Sequence, residues 1–560
     1  MFNKGGNLKN NGAYGEFMKN TGPGEAELAA QRSAGFLRMP FIGVIVFAVG
    51  ASKEKIAATV ESVRAQSYEN YELTVAADES KHAYLEKGFG ISSAYLTLSE
   101  AAVGSAGNYL TFINAGDIFM PNALYEFAAA VNKRGNCEFI FADEDEIVSG
   151  VRKAPFFKPV PSMETLMSYN SVGMPLMASR RLFTKTGGLK DLSGASLYEF
   201  SLKCMRSCAA EGGAAHIPKV LLSREKPDYS VSSRDGRRIL NELIKDSGGH
   251  ANSGLFPNSF WTRPALKKRH SIDIIIPVRD ELDELRECLE SVEETSLFDR
   301  YEFIISDMGS VNPKLIRYYD LLEKNGAARV IRTDKPIFEA KALNTASLAG
   351  NGDTVLFMSP YCRMLNPDAL EVMLEYAQLD DIGFVAPKLV DGLGRIFSVG
   401  TVVGIGGWMD SPYRGEADGI YEDLTKNRFI NAIRNITAAD SNCMMLSADV
   451  FSRMGGFDES FERIGYTTEL SIRLVRAGCR NVYMPHAKFE CRKPYTDYKR
   501  ASDSDKSRLY DVIRPILTEG DPMYSPNYDF SVGVPIPAEK VKPPIFLNEK
   551  YKAFTDNFQY

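Results

Sequence analysis

The sequence predicts an α/β protein built from two tandem units, each a largely parallel sheet wrapped by crossover helices. Three observations carry this reading. At 560 residues the chain is too long for one hydrophobic core. With 44% hydrophobic and 25% charged residues, its composition is that of a folded protein without a long biased tract. And one layout occurs twice, about 230 residues apart, which marks a duplicated domain rather than a short repeat. The first copy opens on "FIGVIVFAVGASKEKIAATVESVRAQSYENYELTVAADES" (41–80), the second on "SIDIIIPVRDELDELRECLESVEETSLFDRYEFIISDMGS" (271–310). Each reads as a strand, a loop, an amphipathic helix and a second strand that ends on an acid and Ser.

Taken in order, residues 1–38 lack an apolar stretch of the kind a secretion signal needs and read as a flexible arm. Residues 39–223 form the first unit. Residues 224–270 read as a linker with one helix from Arg237 to Lys245. The second unit is 271–530. Its first helix carries Leu285, Cys288, Leu289 and Val292 at i, i+3, i+4 and i+7, so these share one buried face. Further on, "VLFMSPYCRMLNPDALE" (355–371) is a strand that breaks on Ser359-Pro360-Tyr361 and restarts as a helix after Asn366-Pro367. Residues 531–560, with repeated Pro, read as an extended tail lying on the surface.

Composition also excludes. A net charge of −6 argues against nucleic acid as partner, which needs clustered cations, and Lys267-Lys268-Arg269 is a short solvated run. The longest apolar run, 41–51, is far below the roughly 20 residues of a membrane span. Eight cysteines without a Cys-x-x-Cys pair fit a reducing cytoplasm.

Parallel strands joined by helices place ligands at the carboxyl ends of the strands, so the residues just after each strand are the site candidates. In the second copy these fall in "SIDIIIPVRDELDELRECLESV", "FEAKALNTASLAGNGDTVLFMSP", "ITAADSNCMMLSADVFSRMGGFDESF" and "GYTTELSIRLVRAGCRNVYMP". In the first they fall in "GNYLTFINAGDIFMPNALYEF", "FADEDEIVSGVRKAPFFKPVPS" and "LYEFSLKCMRSCAAEGGAAHIPKVLLS". In kind and order these stretches resemble the family 2, GT-A-type glycosyltransferases, whose domain is a Rossmann-like nucleotide-diphospho-sugar transferase, and specifically the bacterial tandem forms that assemble surface polysaccharides. The resemblance spans roughly residues 41–530.

The resemblance implies three polar stations. The first holds the donor's base and ribose, and Asp307 and Asp78 stand there after strands, with Asn344 in "KALNTA" supporting the donor; capping of the next turn is the competing account. The second holds a divalent Mg or Mn ion on the diphosphate. Here the first copy offers Asn114, Ala115, Gly116 and Asp117 and the second only Ser359, Pro360 and Tyr361, a poor ligand set for a hard cation, so no metal-binding residues are assigned. Asp143 and Asp145, on alternate positions of an extended segment, share a face and are assigned to the donor side, against the competing reading of a solvated acidic edge. The third station activates the acceptor hydroxyl. Asp458, in the turn "GGFDE", and Glu469 are its candidates in the second copy, and Glu199 in the first; either Glu also suits the positive end of a helix dipole. The family's late histidine falls near Cys491 and Ser223, with His486 and His216 nearby but shifted.

Two functions remain open at this point. In one, a copy transfers sugar from a nucleotide-diphospho-sugar donor to a glycan, protein or lipid-linked acceptor, with Arg363, Arg492 or Lys493 replacing the cation. In the other, both copies are inactive and serve as a scaffold or sugar-binding partner of other glycosyltransferases. A site shared between the copies is a third arrangement. The expected location is the cytoplasm, with peripheral association at the inner face of the membrane as the alternative.

Overall fold

The computed structural model describes residues 5–539 except 92–93, 134, 136, 210–212, 268–269, 334 and 493–500. The first sheet contains β1 (Ile42–Phe47), β2 (Tyr71–Ala76), β3 (Ala94–Tyr95), β4 (Tyr109–Asn114), β5 (Ile118–Phe119), β6 (Phe139–Val148), β7 (Val151–Phe156), β8 (Leu176–Ser179) and β9 (Ala214–Arg224). A small hairpin, β10 (His250–Ser253) and β11 (Phe260–Arg263), follows. The second sheet and its additions comprise β12 (Ile272–Val278), β13 (Tyr301–Asp307), β14 (Arg329–Ile331), β15 (Thr354–Met358), β16 (Cys362–Met364), β17 (Ile382–Val390), β18 (Ile396–Ser398), β19 (Val402–Val403), β20 (Met409–Asp410), β21 (Arg434–Asn435), β22 (Cys443–Ser447) and β23 (Arg480–Cys491).

The duplication is visible in topology. The first sheet runs β3-β2-β1-β4-β8-β6-β9-β5 and the second β14-β13-β12-β15-β22-β17-β23-β16. Strand for strand, the parallel and antiparallel pairings agree as well. β1 is parallel to β2 and β4, as β12 is to β13 and β15; β8 and β22 are the antiparallel insertions. Even an irregularity is shared: the β6–β9 register slips between Ala142 and Asp143, and the β17–β23 register between Pro387 and Lys388. Strand order reverses beside β1 and β12, which puts the ligand crevice at the carboxyl ends of β1/β4 and β12/β15.

Local sequence explains the layers. β12, "IDIIIPV", is buried at every position because helices cover both faces. Ile272, Ile274 and Ile276 join one core cluster and Ile275 the other, following the alternation of a strand. The helix Leu282–Thr295 buries Leu285, Cys288, Leu289 and Val292, the face expected from their spacing. The linker helix lies at Ser233–Ile244, and its Ile239 and Leu240 enter the first domain's core with Phe260.

The arm requires a correction. Residues 5–21 and 25–33 are helical, and Tyr14 and Phe17 are buried against Phe157, with ring centroids 6.5 and 5.1 Å away. Two aromatic anchors one turn apart dock a helix that is otherwise Gly- and Asn-rich. Residues 531–539 of the expected tail turn back, with Asp529 N–H donating to Ile536 O and Ala538 N–H to Asn527 O, both at 2.8 Å. Residues 540–560 lie outside the described residues.

The two domains share an interface. Tyr14, Phe17, Phe157 and Val220 pack with Val402, Ile405, Tyr524, Tyr528 and Phe530 in one apolar cluster. Arg480 pairs with Glu164 at 2.9 Å, and Ile433 N–H donates to Ser168 Oγ at 3.1 Å. Among the described residues no helix is long and apolar enough to cross a membrane.

Candidate functional site

In the second domain the structure brings three expected residues onto one turn. Gly455 and Gly456, both in the left-handed region, create a tight bend before Asp458. The Asn344 amide clasps it, donating to Phe457 O at 2.9 Å and Glu459 Oε1 at 3.1 Å and accepting from Phe457 N–H at 2.9 Å. Asp458 accepts from Ser460 N–H at 2.9 Å; burial opposes its charge, and the Ser460 hydrogen bonds outweigh burial and hold it below the usual carboxylate range. Glu469 sits in the first turn of the helix Tyr466–Arg476 and pairs with Arg473 at 2.6 Å, while Arg473 also donates to Gly456 O at 2.9 Å. Asn344, Asp458 and Glu469 thus belong to one assembly around the Gly455–Glu459 turn.

Asp307, at the end of β13, accepts from Gly309 N–H and Ser310 N–H, each at 3.2 Å, and from Tyr319 OH at 3.2 Å. It is 4% exposed, and its oxygens hold the following turn. Beside the carboxyl ends of β12 and β15 a small cavity of about 10 Å³ is lined by Pro277, Glu339, Phe357, Ser359, Phe457 and Tyr466. That is room for about one water. Tyr466 OH donates to Glu339 across it.

In the first domain the acids are present and already paired. Asp117 accepts from Glu225 N–H at 3.1 Å and lies 3.4 Å from Arg224, whose other arm meets Glu144 at 3.2 Å. Burial pushes the Asp117 carboxyl up to about 6 against the pull of Arg224. Glu144 also binds Lys158 at 3.1 Å, and burial draws the lysine below its ordinary range. Asp143 accepts from Lys158 N–H at 2.9 Å, from the His216 ring at 2.7 Å and from Asn527 Nδ2 at 2.7 Å. Asp145 pairs with Arg152 at 2.7 Å and accepts from Tyr14 OH; burial raises its pKa. Asp143 and Asp145 are 0% and 2% exposed, so the account of a solvated acidic edge fails. Asp78 accepts from Gly50 N–H at 2.9 Å, and Glu199 pairs with Lys203 at 2.7 Å, a bond that holds the carboxyl below its ordinary range.

These residues do not fit a hard divalent cation. Both Asp117 oxygens are committed to Arg224 and a backbone N–H, and the corresponding turn of the second domain supplies Ser359, Pro360 and Tyr361. Among the described residues, no group of three or more His, Cys, Asp or Glu side chains is arranged to hold a metal. The proposed stand-in cations are also occupied: Arg363 and Arg492 both pair with Glu287, at 2.9 and 2.6 Å, and Lys493 lies outside the described residues. Sequence reasoning missed Arg224, Glu144 and Lys158. Their signal was adjacency, since each stands next to, or within, a motif already singled out ("LLSREK", "FADEDEI", "FFKPVPS").

With this geometry in hand, residues 273–445 match the family model described as Glycosyl transferase family 2. Over 539 residues the chain is 26% identical to the O-antigen biosynthesis protein RfbC of Myxococcus xanthus, covering 90% of this chain and 42% of that protein. It is 28% identical over 487 residues to the uncharacterized protein y4gI of Sinorhizobium fredii, covering 80% of this chain and 52% of that one. The chain therefore spans about half the length of these curated relatives. Among solved structures, GalNAc-T7 with UDP, GalNAc and Mn²⁺ matches at 13% identity and a TM-score of 0.35, covering 46% of this chain and 49% of that one. S. aureus TarS 1–349 in complex with UDP-GlcNAc matches at 12% identity and a TM-score of 0.33, covering 46% and 68%. The matched segment coincides with the larger part of the second sheet, β12 to β22, and with the helix that carries Asn344.

Proposed function

We propose that the chain acts in the assembly of a cell-surface polysaccharide or glycoconjugate, as a GT-A-type protein that takes a sugar from a nucleotide-diphospho-sugar and passes it to a glycan, protein or lipid-linked acceptor. It works at the cytoplasmic face of the membrane beside other glycosyltransferases. This reading is supported by the family 2 match at 273–445, on a domain in which Asn344, Asp458 and Glu469 gather around the Gly455–Glu459 turn. In the reaction Asp307 and Asn344 order the donor side, and Asp458 or Glu469 accepts the acceptor proton. The relation to an O-antigen biosynthesis protein supports the pathway class.

A second reading has its own observation. The first domain's acids are neutralised internally by Arg224, Lys158 and Arg152, which favours a non-catalytic first domain that scaffolds or binds glycan. One experiment separates the two: incubate the protein with UDP-, GDP- and dTDP-sugars, with and without manganese, and assay released nucleoside diphosphate and the melting temperature. Release that is lost in Asp458→Asn supports transfer by the second domain. No release and no nucleotide-dependent shift in melting temperature overturns it and leaves the scaffold.

A further inference from the structure

A cleft of about 820 Å³ lies at the seam of the two domains, within the range of pockets that take small ligands. The first domain contributes Glu146, Lys153 and Phe156 to it and the linker Tyr229; the second domain contributes Glu422, Asp423 and Arg428. A deeper recess of about 40 Å³ shares Phe156, Phe157, Thr425, Arg428 and Tyr528 with this cleft, so the two adjoin. Neither includes any residue of the small cavity beside β12 and β15.

Arg428 is the element that suggests a ligand. Its guanidinium carbon lies 3.5 Å from the Phe156 ring centroid and 5.5 Å from those of Tyr169 and Tyr229. The rings hold its face, which leaves five N–H donors at the edge. Among the described residues it has neither an ion pair nor a hydrogen bond. Other half-buried arginines here are engaged: Arg152 on Asp145, Arg480 on Glu164, Arg473 on Glu469. A half-buried guanidinium with idle donors is costly unless an oxyanion or water meets it. One further cation without a carboxylate partner, Arg434, lines the recess, where Lys158 is already paired with Glu144, whereas the carboxylates Glu146, Glu422 and Asp423 belong to the outer cleft. Arg434 is buried with backbone carbonyls rather than a carboxylate as its partners, and burial lowers its pKa to about 10. The floor is therefore positive and the rim acidic. A recess of about 40 Å³ has room for about three waters, the size of a carboxylate or phosphate group.

We propose that the interdomain cleft binds an oxyanion-bearing saccharide, with its carboxylate or phosphate on Arg428 and its hydroxyls donating to Glu146, Glu422 and Asp423. The reading of this ligand as the acceptor rests on the glycan-assembly function above; the binding itself does not. The test is titration calorimetry of the full chain without any nucleotide sugar, using trigalacturonate, glucose 6-phosphate and maltotriose. One of the two charged probes is expected to bind at least tenfold more tightly than neutral maltotriose, and which one does so tells a carboxylate source from a phosphate source. Arg428→Met should weaken it at least tenfold and Arg428→Lys by less, because lysine keeps the charge and loses the bidentate fork. Melting temperatures establish that both variants fold; should Arg428→Met fail to fold, Arg428→Lys together with Glu422→Gln carries the comparison. Equal affinity for all three probes, no binding of any, or undiminished binding to the Arg428 variants overturns the proposal. A protein inactive in the nucleotide-release assay that still binds a charged probe would sink the transfer reading alone.

Discussion

The two domains share a topology and differ at the same station. After β4 and within β6 the first domain keeps Asp117, Asp143, Glu144 and Asp145 and buries each against a cation or a hydrogen-bond donor. At the ends of β15 and β17 the second domain has Ser359-Pro360-Tyr361, then Lys388 at the position of the shared register slip, where the first domain has Asp143. A buried carboxylate is expensive without a compensating charge. The first domain met that requirement with Arg224 and Lys158; the second dispensed with the acids. Either solution preserves the sheet and leaves no free carboxylate pair at that station for a divalent cation.

The sharpest way to break this contrast is Arg224→Met. It leaves Asp117 and Glu144 buried with less countercharge, and removal of one partner from a buried charge network costs about 3–5 kcal/mol. Urea unfolding should register that loss, and adding Asp117→Asn and Glu144→Gln should recover much of it. If Arg224→Met unfolds like the parent, the first domain's charges are not interdependent.

The two strand-end histidines extend the comparison to pH. His216 faces Asp143 at 2.7 Å, whereas His486 stacks on Trp261 with a 4.0 Å centroid separation, near Lys388 and Arg263. Burial, then those two cations, draws His486 down to about 3. Between pH 6.5 and about 3 the unfolded chain binds a proton there that the folded chain refuses, so this term lowers stability as pH falls. From pH 7 to 4.5 it amounts to about 2–3 kcal/mol. Buried acids with raised values, Asp117 and Asp521 at about 6, slope the other way. The measurable quantity is therefore the difference between parent and His486→Phe, which should shrink by that amount on acidification; a constant difference would refute it.

A smaller effect is expected at the domain seam. Asn527 Nδ2 donates to Asp143 Oδ2 at 2.7 Å and to Pro218 O at 3.1 Å, so Asn527→Ala strands a buried carboxylate oxygen and should cost about 1–3 kcal/mol. Because the bond joins the two halves, loss should also separate the unfolding transitions, read by calorimetry as two peaks or a broadened one. A single peak shifted down without broadening would mean that the apolar seam alone couples the domains.

These partners explain what the sequence disclosed. The repeat, the buried face of 282–295 and the linker helix were legible because apolar spacing is local. The acids at strand ends could be located for the same reason. Their state could not, because it depends on partners far along the chain: Asp143 and Asn527 are 384 residues apart, and Tyr14 reaches Asp145 from an arm whose few apolar residues concealed its docking. Asn344 was placed beside the donor site by resemblance, while its three bonds to the Gly455–Glu459 turn need coordinates.

Glu199 and Glu469 give the finest comparison, since they were singled out for the same role and each opens onto a basic residue one turn later. Glu199 is 35% exposed beside a flexible lysine; Glu469 is 17% exposed beside an arginine that also holds Gly456 O. A solvated i,i+4 pair contributes about 0.3–0.5 kcal/mol, so Glu199→Gln should be nearly silent in stability. Glu469→Gln loosens an arginine that fastens the Asp458 turn, and should cost somewhat more, about 1 kcal/mol, with faster amide exchange at Phe457 and Ser460. If Glu469 is only a helix-end charge, the two substitutions will be indistinguishable in both readouts. If it belongs to the assembly around the Gly455–Glu459 turn, only its own will move the turn, and the second domain alone will have kept a working relation between its acid and that turn.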